Sequence, residues 1–203
     1  MTTKVLADQF GADQGAGLWL RRFAMLVLGV ALLWLSAKVK VMTEPVPVTL
    51  QTLTIMAIAM AYGARMGAAT VLAYLALGAM GEPVFANTPE RGLGLPYMFG
   101  PTGGYLLGFL TATLAVGALS DRGWDRSVWT AVAAMAAGLL ALYLPGILWL
   151  GYGFPITAMG ADFTGIGLAK AIEFGAAPFI APDIFKVALA AISFPMIWKL
   201  LGR

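Results

Sequence analysis

The sequence predicts an all-α integral membrane protein with six transmembrane helices and both termini in the cytoplasm. Three observations carry that expectation. Hydrophobic residues make up 60% of the 203 and charged residues only 11%, less than half of the roughly 25% with which soluble domains cover their surface. Mean hydropathy is +0.84, and apolar windows of the length needed to cross a hydrocarbon core about 30 Å thick recur along the chain. Lys and Arg divide unevenly between the segments that join those windows. A soluble enzyme, a coiled coil and a disordered regulator are all excluded by this composition.

Residues 1–20 read as a cytoplasmic N-terminal segment and 21–203 as a single six-helix membrane domain. The first window is Phe23–Ala37, extended backwards past Arg21 and Arg22 by Leu18–Leu20. An Arg pair before an apolar run resembles a signal peptide, but Leu35-Ser36-Ala37-Lys38 is a poor small-x-small cleavage site, so a retained helix is expected. Pro45–Ala64 and Met66–Gly81 form the second and third windows, separated only by Arg65. The fourth span falls near Gly100–Leu119. Ser127–Ala161 is too short for two spans, and its helix is expected to end near Pro145-Gly146. The last span runs from about Ile184 to Leu201, and 165–180 is left unassigned.

With both termini inside, the inner segments hold Lys4, Arg21, Arg22, Arg65, Arg122, Arg126, Lys199 and Arg203. The outer segments hold Lys38, Lys40, Arg91, Lys170 and Lys186. Eight against five is the expected sense of the positive-inside bias. The outer connections, Lys38–Val48, Glu82–Phe99 and Gly151–Asp183, hold six of the ten acidic residues. Irregular backbone near a bilayer must be buried in protein or line a cavity, so a site opening to the outer side is expected.

The chain has no Cys and no His. Disulfides, the usual zinc, haem and iron–sulfur sites, and Ser/His/Asp or Cys/His nucleophiles are therefore excluded. No P-loop pattern is present, so the chain cannot hydrolyse ATP by that route. The net charge of +3 comes from scattered basic residues, which argues against a nucleic-acid partner. No cofactor is expected.

Polar chemistry gathers in a few places. In Pro45–Thr52 two prolines favour extended backbone leading into a helix; either Thr49 simply caps that helix or Gln51 or Thr52 faces a polar cavity. Gly104 and Gly108 have a spacing that lets a neighbouring backbone approach closely. Asp183 and Lys186 share one helix face; either Asp183 caps the helix while Lys186 snorkels outward, or both project into the bundle as a ligand-binding pair. Asp162, Lys170 and Glu173 read as a solvated face. Phe85, Tyr97, Phe99, Tyr105, Trp149, Tyr152 and Phe154 cluster towards the outer side, where aromatics collect at interfaces even without a ligand.

Four of these stretches, PVPVTLQT (Pro45–Thr52), EPVFA (Glu82–Ala86), FGPTGGYLLGF (Phe99–Phe109) and APDIFK (Ala181–Lys186), resemble the signature stretches of the BioY family. Its members are the biotin-specific substrate-binding S components of energy-coupling factor (ECF) transporters. The resemblance runs from about residue 23 to the end. It implies a six-helix protein of the bacterial cytoplasmic membrane with a vitamin pocket near the outer face, roofed by loops. It also implies a transmembrane coupling subunit and two ATP-binding subunits as partners, with docking largely through the first helix and no ATPase activity in this chain.

By the same resemblance Asp183 and Lys186 match the polar pair that contacts biotin, and Asn87 matches a loop asparagine; Arg91, Thr102, Tyr97, Tyr105 and Trp149 complete the expected substrate-binding set. Biotin offers two ureido N–H donors, a ureido oxygen, an apolar thiophane ring and a carboxylate tail. Asp183, Asn87 and Lys186 have the matching hydrogen-bonding types, and the aromatics suit the rings. A self-sufficient, oligomeric biotin transporter working without the ATPase module remains the alternative. A membrane-embedded transferase or hydrolase is disfavoured because no catalytic cluster lies within a predicted span.

Overall fold

A computed structural model describes residues 5–11, 14–41, 45–153 and 163–202; Lys4, Phe154, Asp162 and Arg203 lie outside them. The helices are α1 (Gly15–Lys38), α2 (Gln51–Ala79), α3 (Gly94–Met98), α4 (Gly103–Ser120), α5 (Val128–Tyr152), α6 (Leu168–Gly175) and α7 (Ala177–Leu200). Two-residue strands β1 (Lys40–Val41) and β2 (Val48–Thr49) pair antiparallel, Lys40 opposite Thr49 and Val41 opposite Val48. Five of the helices are long and apolar enough to cross a membrane. The protein is therefore a multi-pass helical membrane protein.

The 29-residue α2 is not straight. Gly63 sits at φ 73°, ψ 179°, a left-handed conformation that only glycine adopts without strain. Asp121 occupies the space a side chain at 63 would need, and its carboxylate accepts the Ala64 backbone N–H at 3.3 Å. Gln51 and Tyr74 would be roughly 34 Å apart along an unbroken helix at 1.5 Å per residue. Their side chains instead hydrogen-bond at 2.9 Å. The chain folds back at Gly63, and α2 is a hairpin with arms of roughly 18 and 24 Å. The turn falls one or two residues before Arg65, the boundary suggested by charge.

Two sequence expectations need correction. The helix expected to end near Pro145-Gly146 continues to Tyr152. Pro145 has no N–H for the carbonyl four residues back, which normally breaks a helix. Here the Thr111 hydroxyl of α4 donates to that carbonyl, Ala141 O, at 2.7 Å, so the proline is accommodated. The last helix begins at Ala177, with Pro178 in its first turn, well before Ile184. A charge-free window stops at Asp183, whereas a paired charge is tolerated inside a helix.

The core is built on α4, which packs against α5 and α2; α7 packs on α5 and α2, and α1 lies chiefly against α2. The Gly104/Gly108 spacing serves this packing. A side-chain carbon at Gly108 would stand 2.5 Å from Leu142 O, and one at Gly104 would strike Trp149 and Pro145 O. One end of the bundle collects Val5, the Gly63 turn, Asp121, Arg126 and Trp198. There Asp125, 1% exposed, accepts the Trp198 indole N–H at 2.5 Å, and the Arg126 guanidinium lies 4.6 Å from the indole ring. Burial pushes the Asp125 carboxyl above the usual carboxylate range, opposed by the indole N–H and the nearby Arg126. The other end carries β1–β2, the 80–102 connection and α6.

Candidate ligand-binding site

Several stretches of the sequence meet around one mostly apolar cavity. The entry to α2 supplies Thr49, Gln51 and Thr52; the connection after α2 supplies Phe85 and Ala86; α3 and the start of α4 supply Tyr97, Thr102, Tyr105 and Phe109. Leu142, Tyr143 and Phe179 close it from α5 and α7. The cavity measures about 50 Å3. A second space of about 60 Å3, which shares Tyr97 and Thr102 with it, is bounded by Pro45, Asn87, Arg91 and Pro96.

The roof is held by aromatic stacking and a short hydrogen-bond chain. Phe85 stacks on Tyr97 with centroids 5.2 Å apart and meets Tyr74 edge-on at 5.4 Å. Gln51 Nε2 donates to the Tyr74 hydroxyl at 2.9 Å, which donates to Val84 O at 2.8 Å. Tyr97 is buried, and burial pushes its phenol above the ordinary value, offset by hydrogen bonds from Thr102 and the Asn87 backbone. It stays a neutral hydroxyl at physiological pH. Of the two readings of Pro45–Thr52, the cap falls on Leu50, which makes no side-chain cap hydrogen bond, while Thr49 Oγ1 accepts the Gln51 N–H at 3.2 Å. Gln51 and Thr52 do face the cavity, which is mostly apolar rather than polar.

Below the cavity lies the polar pair. Asp183 is 2% and Lys186 6% exposed, with Nζ–Oδ1 at 2.7 Å. Lys186 also donates to Thr49 O at 2.9 Å, and the Tyr143 hydroxyl donates to Asp183 Oδ2. Asp183 is thus inside the second turn of α7, not its cap, and Lys186 points inward, so the cap-and-snorkel reading does not hold. Burying two charges costs more than their attraction usually returns. A pair kept in this position is the pattern expected of a functional site within a membrane.

Of the residues expected from sequence, Tyr97, Thr102 and Tyr105 line the cavity, and Asn87 and Arg91 line the adjoining space. Asp183 and Lys186 reach the cavity through two of its lining residues, Tyr143 and Thr49. Trp149 is set apart: its indole N–H donates to Gly100 O at 2.9 Å, and its ring packs over Gly103 and Gly104. It braces the entry to α4. Tyr143 and Tyr74 were missed by the sequence reading. Each is a phenol in an otherwise apolar span, and a buried tyrosine hydroxyl needs a partner; that signal was available.

A multi-pass helical membrane protein with a small apolar cavity near one end and a buried ion pair beneath it has the build of a small-molecule binding component. The BioY family model matches residues 3–203. The chain belongs to the BioY family. It is 36% identical over 172 residues to a protein described as a probable biotin transporter BioY from Pyrococcus horikoshii, covering 85% of this chain and 93% of that relative. It is 34% identical over 162 residues to the biotin transporter BioY of Thermotoga maritima, covering 80% and 86%. A solved S-component for biotin from an ECF-type ABC transporter superposes with TM-score 0.70 over 92% of this chain and 95% of that one, at 19% identity. At that identity the likeness concerns the fold.

Proposed function

We propose that this protein captures biotin at the outer face of the cytoplasmic membrane as the S component of an ECF-type transporter, with ATP hydrolysis performed by two partner subunits through a coupling subunit. The observation that carries this is the convergence of the four family-like stretches on one cavity and the ion pair beneath it. Asp183 is assigned to a ureido N–H, Asn87 to the ureido oxygen, and Arg91 and Lys186 to acceptor atoms of the ligand, with Tyr97, Thr102 and Tyr105 lining the rings. Trp149 is assigned to bracing rather than contact.

We read the two arms of α2 as separate crossings, so the helices make six, and 21–203 is one domain. The end that carries Arg65, Arg122 and Arg126 is the cytoplasmic one, with both termini. Because the native chain has no Cys, single cysteines report this cleanly. A cysteine replacing Arg126 is expected to resist an impermeant thiol reagent in intact cells, and one replacing Glu90 to react. Labelling at 126 from outside overturns the orientation.

The purified protein is expected to bind biotin without any partner, because all of the assigned ligand groups belong to this chain. Uptake against a gradient in proteoliposomes is expected only when the coupling and ATP-binding subunits and ATP are supplied. Concentrative uptake by this protein alone would establish the self-sufficient alternative instead.

A further inference from the structure

The turn that roofs the cavity, Phe85–Thr88, is irregular yet buried, each residue at most 6% exposed. Buried carbonyls need donors; locally, Phe85 O accepts the Thr88 hydroxyl at 2.9 Å and the Thr88 N–H at 3.4 Å, and Asn87 O accepts the Arg91 N–H at 2.9 Å. Two lysines, Lys38 at the end of α1 and Lys40 in β1, add donors and reach Thr88 O and Ala86 O as well. Lys38 Nζ donates to Phe85 O at 2.9 Å, Thr88 O at 3.0 Å and Thr88 Oγ1 at 3.4 Å. Lys40 Nζ donates to Ala86 O at 2.5 Å and to Asn87 Oδ1 at 3.1 Å. The last contact also orients the Asn87 amide, with its oxygen towards Lys40.

The same short segment reaches the floor of the cavity. Val39 O accepts the Leu50 N–H at 3.1 Å, and Lys40 pairs across β1–β2 with Thr49, whose carbonyl accepts Lys186. Residues 38–41 therefore join the roof, the floor and α1. Helix α1 itself packs chiefly on α2, with Trp19, Phe23, Leu28 and Leu35 exposed, so few contacts oppose its displacement. The two adjoining spaces, about 50 and 60 Å3, fall well short of the roughly 300 Å3 from which small-molecule pockets start. Admission of a ligand has to lift the roof.

We propose that Lys38 and Lys40 are a two-point latch that holds the Phe85–Thr88 turn closed over the cavity and makes its opening depend on the position of α1. They are positioning residues, and their effect on ligand exchange rests on the biotin reading above; the latch itself does not. The experiment uses the full-length protein in detergent, with Lys38→Met and Lys40→Met singly and together. Methionine keeps an apolar stem and removes the ammonium. In ligand-free protein, the Thr88, Arg91 and Gly92 amides are expected to exchange with deuterium roughly tenfold faster in the double variant, as local opening becomes more frequent. Biotin is expected to leave roughly tenfold faster, with a smaller change in Kd because entry also accelerates.

Arginine at both positions keeps charge and donors and is expected to restore slow exchange and slow release. Thermal melts identify any variant that fails to fold, in which case the single substitutions carry the comparison. Wild-type exchange and release rates in the folded methionine variants overturn the latch. Faster exchange of 88–92 in a protein that binds no biotin supports the latch and removes the ligand assignment, so the two readings fail separately.

Discussion

Replacing Asp183 with Asn is expected to weaken biotin binding about ten- to hundredfold and to lower the melting temperature, because the buried Lys186 ammonium loses its carboxylate partner. Asparagine keeps the shape and one acceptor but loses the charge. Hydrogen bonds to charged groups contribute about 1.5–3 kcal/mol, and about 1.4 kcal/mol is tenfold in Kd. Lys186→Met removes the other half of the pair, and the double variant separates affinity from stability. Lys186→Met alone leaves the buried Asp183 carboxylate with only the Tyr143 hydroxyl, and an uncompensated buried charge costs about 3–5 kcal/mol. The Lys186 variant is therefore expected to melt lower and bind weakly, whereas Asp183→Asn with Lys186→Met should recover stability without recovering affinity. Titration calorimetry beside thermal melts of the same preparations reads both quantities. Normal affinity in the Asp183 variant and the double variant would reduce the pair to a packing element.

Gly108→Val is expected to be strongly destabilising. The added carbon meets Leu142 O at 2.5 Å, and the obstacle is backbone of a neighbouring helix, which cannot rotate away. Overpacking of this kind reaches about 3 kcal/mol, on the order of a 10 °C fall in Tm for a chain of this size. Leu107→Ala, on an exposed position of the same helix, is the control and is expected to melt within a few degrees of wild type. Equal melting of the two variants contradicts close α4–α5 packing as the role of the glycine spacing.

Latch, site and packing differ in how far the residues disclose them. The Gly104/Gly108 spacing could be read as close packing before the partner helix was known, because only small residues allow backbones to touch. The Asp183/Lys186 spacing placed both charges on one face, but the direction of that face depended on where α7 begins. Lys38 and Lys40 looked like minor exceptions to the positive-inside bias. Nothing in their local sequence relates them to residues more than forty positions away.

The amino-acid sequence by itself determined the solvent of this protein, its helical class, the approximate positions of its apolar segments and the residue types available for binding. Those properties follow from local composition and from the requirement that backbone groups in lipid be satisfied within each segment. Tertiary structure alone decided that the reversal expected at Arg65 is made at Gly63, that α5 continues through Pro145, that Trp149 braces α4 instead of facing the cavity, and that Tyr143 joins Asp183. Each of these depends on a partner distant in sequence: the Asp121 carboxylate, the Thr111 hydroxyl, the Gly100 carbonyl and the α7 carboxylate. A hydrogen bond of that kind is invisible to periodicity and composition, because it is made only when two helices are already packed.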